Sequence, residues 1–542
     1  MQGKIQWMAG VAVLALIASS GAGLGKTKHH TTTPPRYDTP PPANAASGPS
    51  NAELNDRLSA LEAELAAEHE ARSNDRTRLS GLEQSFNDVV WTFDNGRPTI
   101  RSGDGRFSMS IRARFQADFA NFMQDSTHPA GFAGPADLSS GAVVRRAYLG
   151  VEGKAYNDFA YELRLNVGGS DGGSAGAAGV PTSGEGDPLL NKAVISYTGL
   201  TNWHFNFGVI EPAFMFEGTT SSAALIFLER PEIDNIAADS FGAGDSRRGI
   251  EIGWQRVDTL WSGDSLAITG TFSGGKTGSA GNHGNGGDEN AQLLGRISDR
   301  IWTDGARSNI AIGASGGYVL YSGSGTGGAS QTLRFRDRPE IRVDGTRLID
   351  TGAIPAKTGN MFAFDAGGNW ENFFLGGEWA QFTTDRQCGV LVTATCTSAF
   401  AVADHPTFSG WYVEGSWILT GETKPYTLTA LNNETGGFQA PAPSRPFSFN
   451  GDSWGAWELA VRYSETDLNW KPSQLLVPGL QLAGITGGDE RIIAIALNWY
   501  LNRNVRVMID DNIVTVKKGT AAIPNRDGQS LNIVGVRLQF AN

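Results

Sequence analysis

The stretch Asp158 to Val167, DFAYELRLNV, alternates residue by residue. Phe159, Tyr161, Leu163, Leu165 and Val167 share one face, and Asp158, Glu162, Arg164 and Asn166 share the other. Side chains of a β-strand point to opposite faces in turn, so this segment has one face suited to lipid and one suited to water. Phe107 to Gln116 repeats the pattern, with Phe107, Met109, Ile111 and Phe115 set against Ser108, Ser110, Arg112 and Arg114. Trp203 to Val209 and Trp457 to Tyr463 do the same. Working outward, candidate strands fall near residues 107–122, 142–155, 157–168, 189–199, 202–211, 247–256, 264–273 and 291–303. The second half adds 307–322, 358–370, 372–384, 409–420, 454–468, 489–501, 503–516 and 529–542. The connections at Tyr156-Asn157, Leu200-Thr201, Asp304-Gly305, Trp370-Glu371 and Asn502-Arg503 are tight, while those between them are long. An even strand count with short turns on one side and long loops on the other predicts an all-β fold, a transmembrane antiparallel β-barrel of about 16 strands.

Composition agrees. The chain has 542 residues, of which 70 are Gly and 10% are aromatic, a usage that fits strands, tight turns and interfacial girdles. After the first twenty-odd residues no apolar run approaches the roughly 18 needed for a spanning helix. The net charge of −12 argues against a nucleic-acid partner. It does not argue against anion binding, because a pore is read by its own lining.

The chain before the barrel divides into three. Lys4, the apolar run Ile5 to Ile17 and the small residues that follow read as a signal peptide over residues 1–25, so the mature protein leaves the cytoplasm. Residues 26–50 form a Pro/Thr-rich linker. Over residues 51–90, Leu54, Leu58, Leu61, Leu65, Leu79, Leu82, Phe86 and Val89 fall in one heptad frame, with Glu68, Arg72 and Asp75 at core positions in the middle. A periplasmic coiled coil, and with it an oligomer, is the expectation; the alternative is a helix lying on the barrel's own rim. Residues 91–542 make up the barrel. The two cysteines, Cys388 and Cys396, lie eight apart in one polar segment and are expected to form a disulfide in an oxidising compartment, free thiols being the alternative.

Four blocks in order along the barrel carry a family resemblance: GVIEPAFMFEGTTSSAALIFLERP from Gly208, GWYVEGSWILTGETKPY from Gly410, GAWELAVRYSETDLN from Gly455 and LNWYLNRNVRVMIDD from Leu497. Together they resemble the phosphate-selective porins of the O and P type. The resemblance implies a homotrimer of sixteen-stranded outer-membrane barrels, each narrowed by inward-folded loops and lined by arginines that guide small anionic solutes, in contact with lipopolysaccharide.

On that basis residues 212–246 are the expected constriction loop, an outer loop used for subunit contact being the alternative. Its stretch SSAALIFLERP is too apolar for open water. Glu217, Glu229, Glu232 and Asp234 face only Arg230 within it, and an acidic constriction would repel phosphate unless those carboxylates bond the wall or orient arginines. Arg334, Arg336, Arg338, Arg342 and Arg347 crowd the fifth long loop. The first three alternate, so an extended stretch points them one way. Guanidinium groups hold oxyanions by paired hydrogen bonds. These five either line the pore or sit on a solvated strand, paired with nearby acids or bound to lipopolysaccharide phosphates. On the wall, Arg112, Arg114, Arg146, Arg164, Lys192, Arg462, Arg506 and Arg537 fall on the polar face, as anion contacts or as salt bridges that stiffen the barrel. The long connection 421–453 breaks the rule of short periplasmic turns and is either a folded-back plug or a subunit contact.

Catalytic and metal-binding patterns are weak: the seven His residues are scattered, and no HxxxH, GxSxG or phosphate-loop pattern supports a hydrolase. The reading is passive diffusion with no cofactor and no enzyme chemistry, in the outer membrane of a Gram-negative cell. A general or cation-tolerant diffusion porin is the alternative within the class; a barrel enzyme and a secreted glycan-binding β protein are the alternatives outside it.

Overall fold

The computed structural model describes residues 50–87, 89–94, 96–124, 138–168, 190–276, 290–305, 307–322, 331–387, 402–427, 437–474, 484–518 and 527–542. The expected signal peptide, almost all of the linker, and Cys388 and Cys396 lie outside them. Residues 51–87 form helix α1 (Asn51–Asn87). Leu54, Leu58, Leu61, Leu65 and Leu79 of its heptad frame are exposed, and Arg72 donates to Glu68 at 2.6 Å within the polar middle. No described helix is long and apolar enough to cross a membrane.

Sixteen strands make the barrel: β1 (Ser108–Gln124), β2 (Gly141–Ala155), β3 (Phe159–Asn166), β4 (Leu190–Tyr197), β5 (Trp203–Ile210), β6 (Arg247–Val257), β7 (Ser265–Lys276) and β8 (Ala291–Thr303). The second half is β9 (Ser308–Tyr321), β10 (Ile354–Trp370), β11 (Phe373–Gln387), β12 (Thr407–Ile418), β13 (Ala456–Trp470), β14 (Ile485–Tyr500), β15 (Val505–Lys517) and β16 (Asp527–Ala541). Each pairs antiparallel with the next, and β16 returns to β1 from Leu531↔Gln124 to Ala541↔Arg114, so the sheet closes. Every strand lies within a few residues of its expected place.

Burial is inverted relative to a protein in water. On β3, Leu163 is 44% exposed while Glu162 is 2% exposed. The same alternation runs round the barrel, through Ile250 and Glu251 on β6 and Leu538 and Arg537 on β16. An apolar outer face and a polar inner one require lipid outside, since Arg or Lys turned outward at midplane would cost about 2–4 kcal/mol. At the tight-turn end, cross-strand aromatic pairs form a girdle: Phe159 with Tyr197, Trp302 with Trp370, Phe373 with Trp417 and Trp457 with Trp499, with centroids 5.2 to 6.0 Å apart. The turn from β2 to β3 places Tyr156 and Asn157 at φ 53° and 64°, the two left-handed residues that a tight hairpin of the primed type needs.

Candidate functional site

The lumen is filled by the connection between β5 and β6. It carries two helices, α2 (Phe216–Thr219) and α3 (Glu232–Phe241), joined by the apolar run Ala223 to Leu228. Leu225, Ile226, Phe227 and Leu228 are all buried, so residues 212–246 enter the barrel as the composition requires. Helix α3 starts after Pro231 and ends at Gly242, whose φ of 77° lets the chain turn while its N–H donates to the Ala238 carbonyl.

An irregular backbone buried this way needs partners for its carbonyls. The polar wall supplies them strand by strand. Gln116 donates to the Ser222 carbonyl at 3.0 Å, Gln539 to Ala223 at 3.0 Å, Arg506 to Leu225 at 2.9 Å and Asn498 to Ile226 at 2.8 Å. Arg537 donates to Leu228 and Arg462 to Glu229, the latter at 3.0 Å. In the opposite direction the Leu228 N–H donates to Asp510 at 2.7 Å. Arg462, Arg506 and Arg537, named above as wall arginines, therefore clamp the loop from behind. All three are buried, and none lines the cavity described below. On the far side, glycines leave space for the loop: a Cβ on Gly367 would lie 3.0 Å from the Phe216 ring, and one on Gly410 would lie 2.6 Å from Ile233.

The connection between β9 and β10 folds in beside it. Phe335 stacks on Phe241 of α3 at 6.1 Å and meets Phe382 and Phe408 of the wall, which locks the two loops into one block. The expected common direction of Arg334, Arg336 and Arg338 holds for the first two, which both face Asp350 and Asp239, and ends at Arg338, which lines the cavity described below. Paired extended backbone in this stretch covers only Arg336↔Asp350 and Asp337↔Ile349, and Pro339 and Glu340 (φ 59°) then turn the chain. Arg334 stays half exposed and donates to Asp350 at 2.8 Å, Arg336 lies 3.8 Å from Asp239, and Arg338 is buried.

Between these loops and strands β1 to β4 lies a cavity of about 150 Å³. Nine arginines and six carboxylates line it. Arg112, Arg114, Arg146 and Arg164 come from the wall, Arg230 from the constriction loop, and Arg338, Arg342 and Arg347 from the fifth loop. The ninth is Arg145, which strict alternation would turn toward lipid. A bulge in the β1/β2 register, where Gln116↔Arg146 is followed by Ala117↔Val144, inserts Arg145 as an extra residue and brings both arginines inward. Lys192 stands at the edge of this group, 3.2 Å from Glu162 and 3.8 Å from Glu211.

Most of these charges are matched. Glu229 lies 2.8 Å from Arg145, 2.8 Å from Arg537, 3.6 Å from Arg342 and 3.8 Å from Arg146. Burial alone would raise its pKa, but those four guanidinium groups hold it well below the usual carboxylate range. Arg164 pairs with Glu211 at 2.5 Å, and Arg112 with Glu152 and Glu162 at 2.9 and 3.0 Å. Three other loop acids are pushed toward their neutral form, while Asp239 and Asp245 stay on the cavity lining. Burial pushes Glu217 up against Arg462 and Arg230. Burial and neighbouring Glu340 push Glu232 well up. Burial and neighbouring Glu217 push Asp234 up to about 8. The acid-rich loop thus presents less negative charge to the cavity than its composition suggests, because Glu229 is matched by arginines and Asp234 is pushed toward its neutral form.

Two cavity arginines have no carboxylate at ion-pair distance among the described residues. Arg230 donates to the carbonyls of Glu217 and Thr220, both at 2.6 Å. Arg114 donates to Ser222 Oγ at 2.6 Å and Ser221 Oγ at 2.9 Å, and sits over the Tyr148 ring at 5.5 Å, with Arg164 at 5.0 Å from the same ring.

The long connection 421–453 enters the lumen too. Lys424 is buried against Glu458 at 3.4 Å, and Tyr426 and Phe438 pack with Phe374, Phe438 reaching Phe216 of the constriction loop at 6.2 Å. Its described first part is folded back as a plug, whereas Phe447 returns to the rim and meets Trp499 at 5.2 Å.

A closed sixteen-stranded barrel with a lipid-facing exterior and a lumen narrowed by inward-folded, arginine-bearing loops defines an outer-membrane porin. Residues 109–541 match the family described as phosphate-selective porin O and P, and the chain belongs to it. Curated relatives are distant. An uncharacterized protein of Caulobacter vibrioides is 24% identical over 458 residues, covering 84% of this chain and 77% of the relative. Porin O of Pseudomonas aeruginosa is 22% identical over 450 residues, covering 79% and 87%. Among solved structures, the anion-selective porin from Comamonas acidovorans aligns at 12% identity and TM-score 0.41, covering 80% of this chain and all of that one. The outer membrane channel DcaP of Acinetobacter baumannii aligns at 10% identity and TM-score 0.42, covering 82% and 99%.

Proposed function

We propose that this porin passes small anions by passive diffusion, without cofactor or covalent chemistry, and that its selectivity resides in the arginine-lined cavity. The observation that carries this is Arg114: a guanidinium on the cavity wall whose partners are two serine hydroxyls and a tyrosine ring. Hydroxyls can turn to donate to an arriving oxyanion while the guanidinium supplies charge and paired N–H groups. Arg146 and Arg230 line the same cavity. Phosphate, or a short polyphosphate, fits this donor set. Single-channel recording tests it: the proposal expects small steps blocked by added phosphate, sulfate or pyrophosphate, and is abandoned if these leave the current unchanged.

The homotrimer is part of the same proposal. Strands β3 and β5 have 8 residues each. At about 3.3 Å per residue and a 45° tilt, 8 residues cover roughly 19 Å of an apolar band about 25 Å tall. Leu163, Ile195 and Phe207 form an apolar exterior there that lipid alone would not match in height, and a second barrel supplies the cover. The exposed heptad leucines of α1 favour a coiled coil between copies.

A further inference from the structure

A hairpin precedes the barrel. Its strands Val89–Asp94 and Arg97–Ser102 pair from Val89↔Ser102 to Asp94↔Arg97. The second strand joins the wall at Thr99↔Ser110, Ile100↔Met109 and Arg101↔Ser108. There is room for it because β16 reaches along β1 only as far as Arg114, so the residues of β1 before that point have a free side. This is the tight-turn end of the barrel: Gly96 lies beside the side chain of Asn504, in the turn that leads into β15, and Phe107 packs on Tyr156 at 4.6 Å.

Residues directly opposed in an antiparallel pair lie on one face, so the register sorts the hairpin into two sides. Thr92, Thr99 and Ser110 line up on the inner side, where Thr99 is buried and its hydroxyl shares a hydrogen bond of 2.8 Å with Ser110. Arg97, on the same side, pairs with Glu152 of the inner wall. Trp91, Ile100 and Met109 line up on the outer side, and Phe93 stands opposite Pro98. Met109 and Ile111 belong to the lipid-facing wall, so the hairpin's outer face continues that wall past the first residues of β1. Trp91 is 69% exposed and Phe93 78%. Val89–Asp94 pairs on one side only among the described strands, which leaves this aromatic face on an open edge.

We propose that the outer face of this hairpin, centred on Trp91 and Phe93, is seated in the periplasmic-side phospholipid interface and extends the aromatic girdle beyond the closed barrel. Three observations favour lipid as the occupant. The face is continuous in register with a wall that lies against lipid. It stands at the end of the barrel where the aromatic girdle is. Its side chains are of the types that gather at headgroup depth, Trp above all. The inner side, by contrast, is tied to the lumen wall by the Thr99 and Arg97 contacts, so the sheet cannot roll over and hide the aromatic face.

Full-length W91C and F93C variants carrying a nitroxide label, reconstituted in phosphatidylethanolamine/phosphatidylglycerol vesicles, test this through collision with oxygen and with a water-soluble nickel chelate. Ile111→Cys supplies the lipid reference and Arg101→Cys the polar one. If the unsubstituted protein takes up label, the variants are made with serine at positions 388 and 396. The expected result is an oxygen-to-nickel ratio at 91 and 93 that matches position 111, with the order reversed at 101. Nickel-dominated collision at both positions would put the face in water and overturn the proposal. Low collision with both agents and an immobilised spectrum would mean that a second copy of the chain covers the face, and would overturn it equally. The two positions are independent, so failure of one variant to fold leaves the other to decide.

Discussion

Replacing Arg114 by glutamine removes a guanidinium that has no carboxylate partner while keeping a side chain able to reach Ser221 and Ser222. An anion bound about 4 Å from that charge gains about 1 kcal/mol if the cavity behaves as bulk water and about 4 kcal/mol at the effective dielectric of a protein surface. The cavity is lined by charged and polar groups, and Arg146 and Arg230 remain, so the loss should fall near the lower part of this range, about 1.5 kcal/mol. That corresponds to roughly a tenfold rise in the phosphate concentration that half-blocks chloride current. The assay is a titration of single-channel conductance with phosphate at fixed salt. R114K, which keeps the charge and loses the two-pronged donor, should fall between the two proteins. The reasoning is refuted if R114Q blocks at the wild-type concentration while its unfolding temperature on gels is unchanged. A large fall in that temperature would instead point to the serine contacts as the main role of Arg114.

The other expectations concern the constriction loop. Glu229→Gln leaves Arg145, Arg146, Arg342 and Arg537 without their shared carboxylate, and breaking a buried charge cluster of this kind should cost about 3–5 kcal/mol; heat-modifiable migration should shift to lower temperature, and an unshifted protein would contradict the assigned pairing. Gly367→Val places a side chain where Phe216 now sits, 3.0 Å from the added Cβ, and such overpacking should cost about 1–3 kcal/mol and make single-channel steps smaller or noisier; steps of wild-type size and quietness would argue against that seat. Because Asp234 is pushed up from 3.8 to about 8, docking of the loop takes up a proton: its stabilisation is full below pH 3.8 and is lost as pH rises through about 8. Current noise should therefore increase between pH 7 and 9 and should not do so in Asp234→Asn.

Much of this was legible in the sequence because a lipid-facing barrel imposes the two-residue period on every strand, and the period survives in Phe159 to Asn166 without help from any tertiary contact. The apolar run Ala223 to Leu228 likewise betrayed a loop that could not stay in water. What escaped is set by contacts across the fold. Arg462, Arg506 and Arg537 had to point inward, but inward is shared by a pore arginine and a loop clamp, and the carbonyls that separate the two roles are more than 200 residues away in the chain. Arg145 was missed because a bulge shifts the period by one; the adjacent pair Arg145-Arg146 was the available signal, since one of them would otherwise face lipid. The acidity of residues 211–246 misled for a related reason: charge counted along the chain ignores that Glu229 meets four arginines and that Asp234 is buried beside Glu217.

The most direct test of the central claim is the zero-current potential of the reconstituted protein across a tenfold gradient of potassium chloride. An anion-preferring pore built around Arg114, Arg146 and Arg230 predicts a potential of the sign set by chloride flux, moving toward zero in R114Q. A potential of the opposite sign would mean that cations pass the constriction more readily, and would contradict the account.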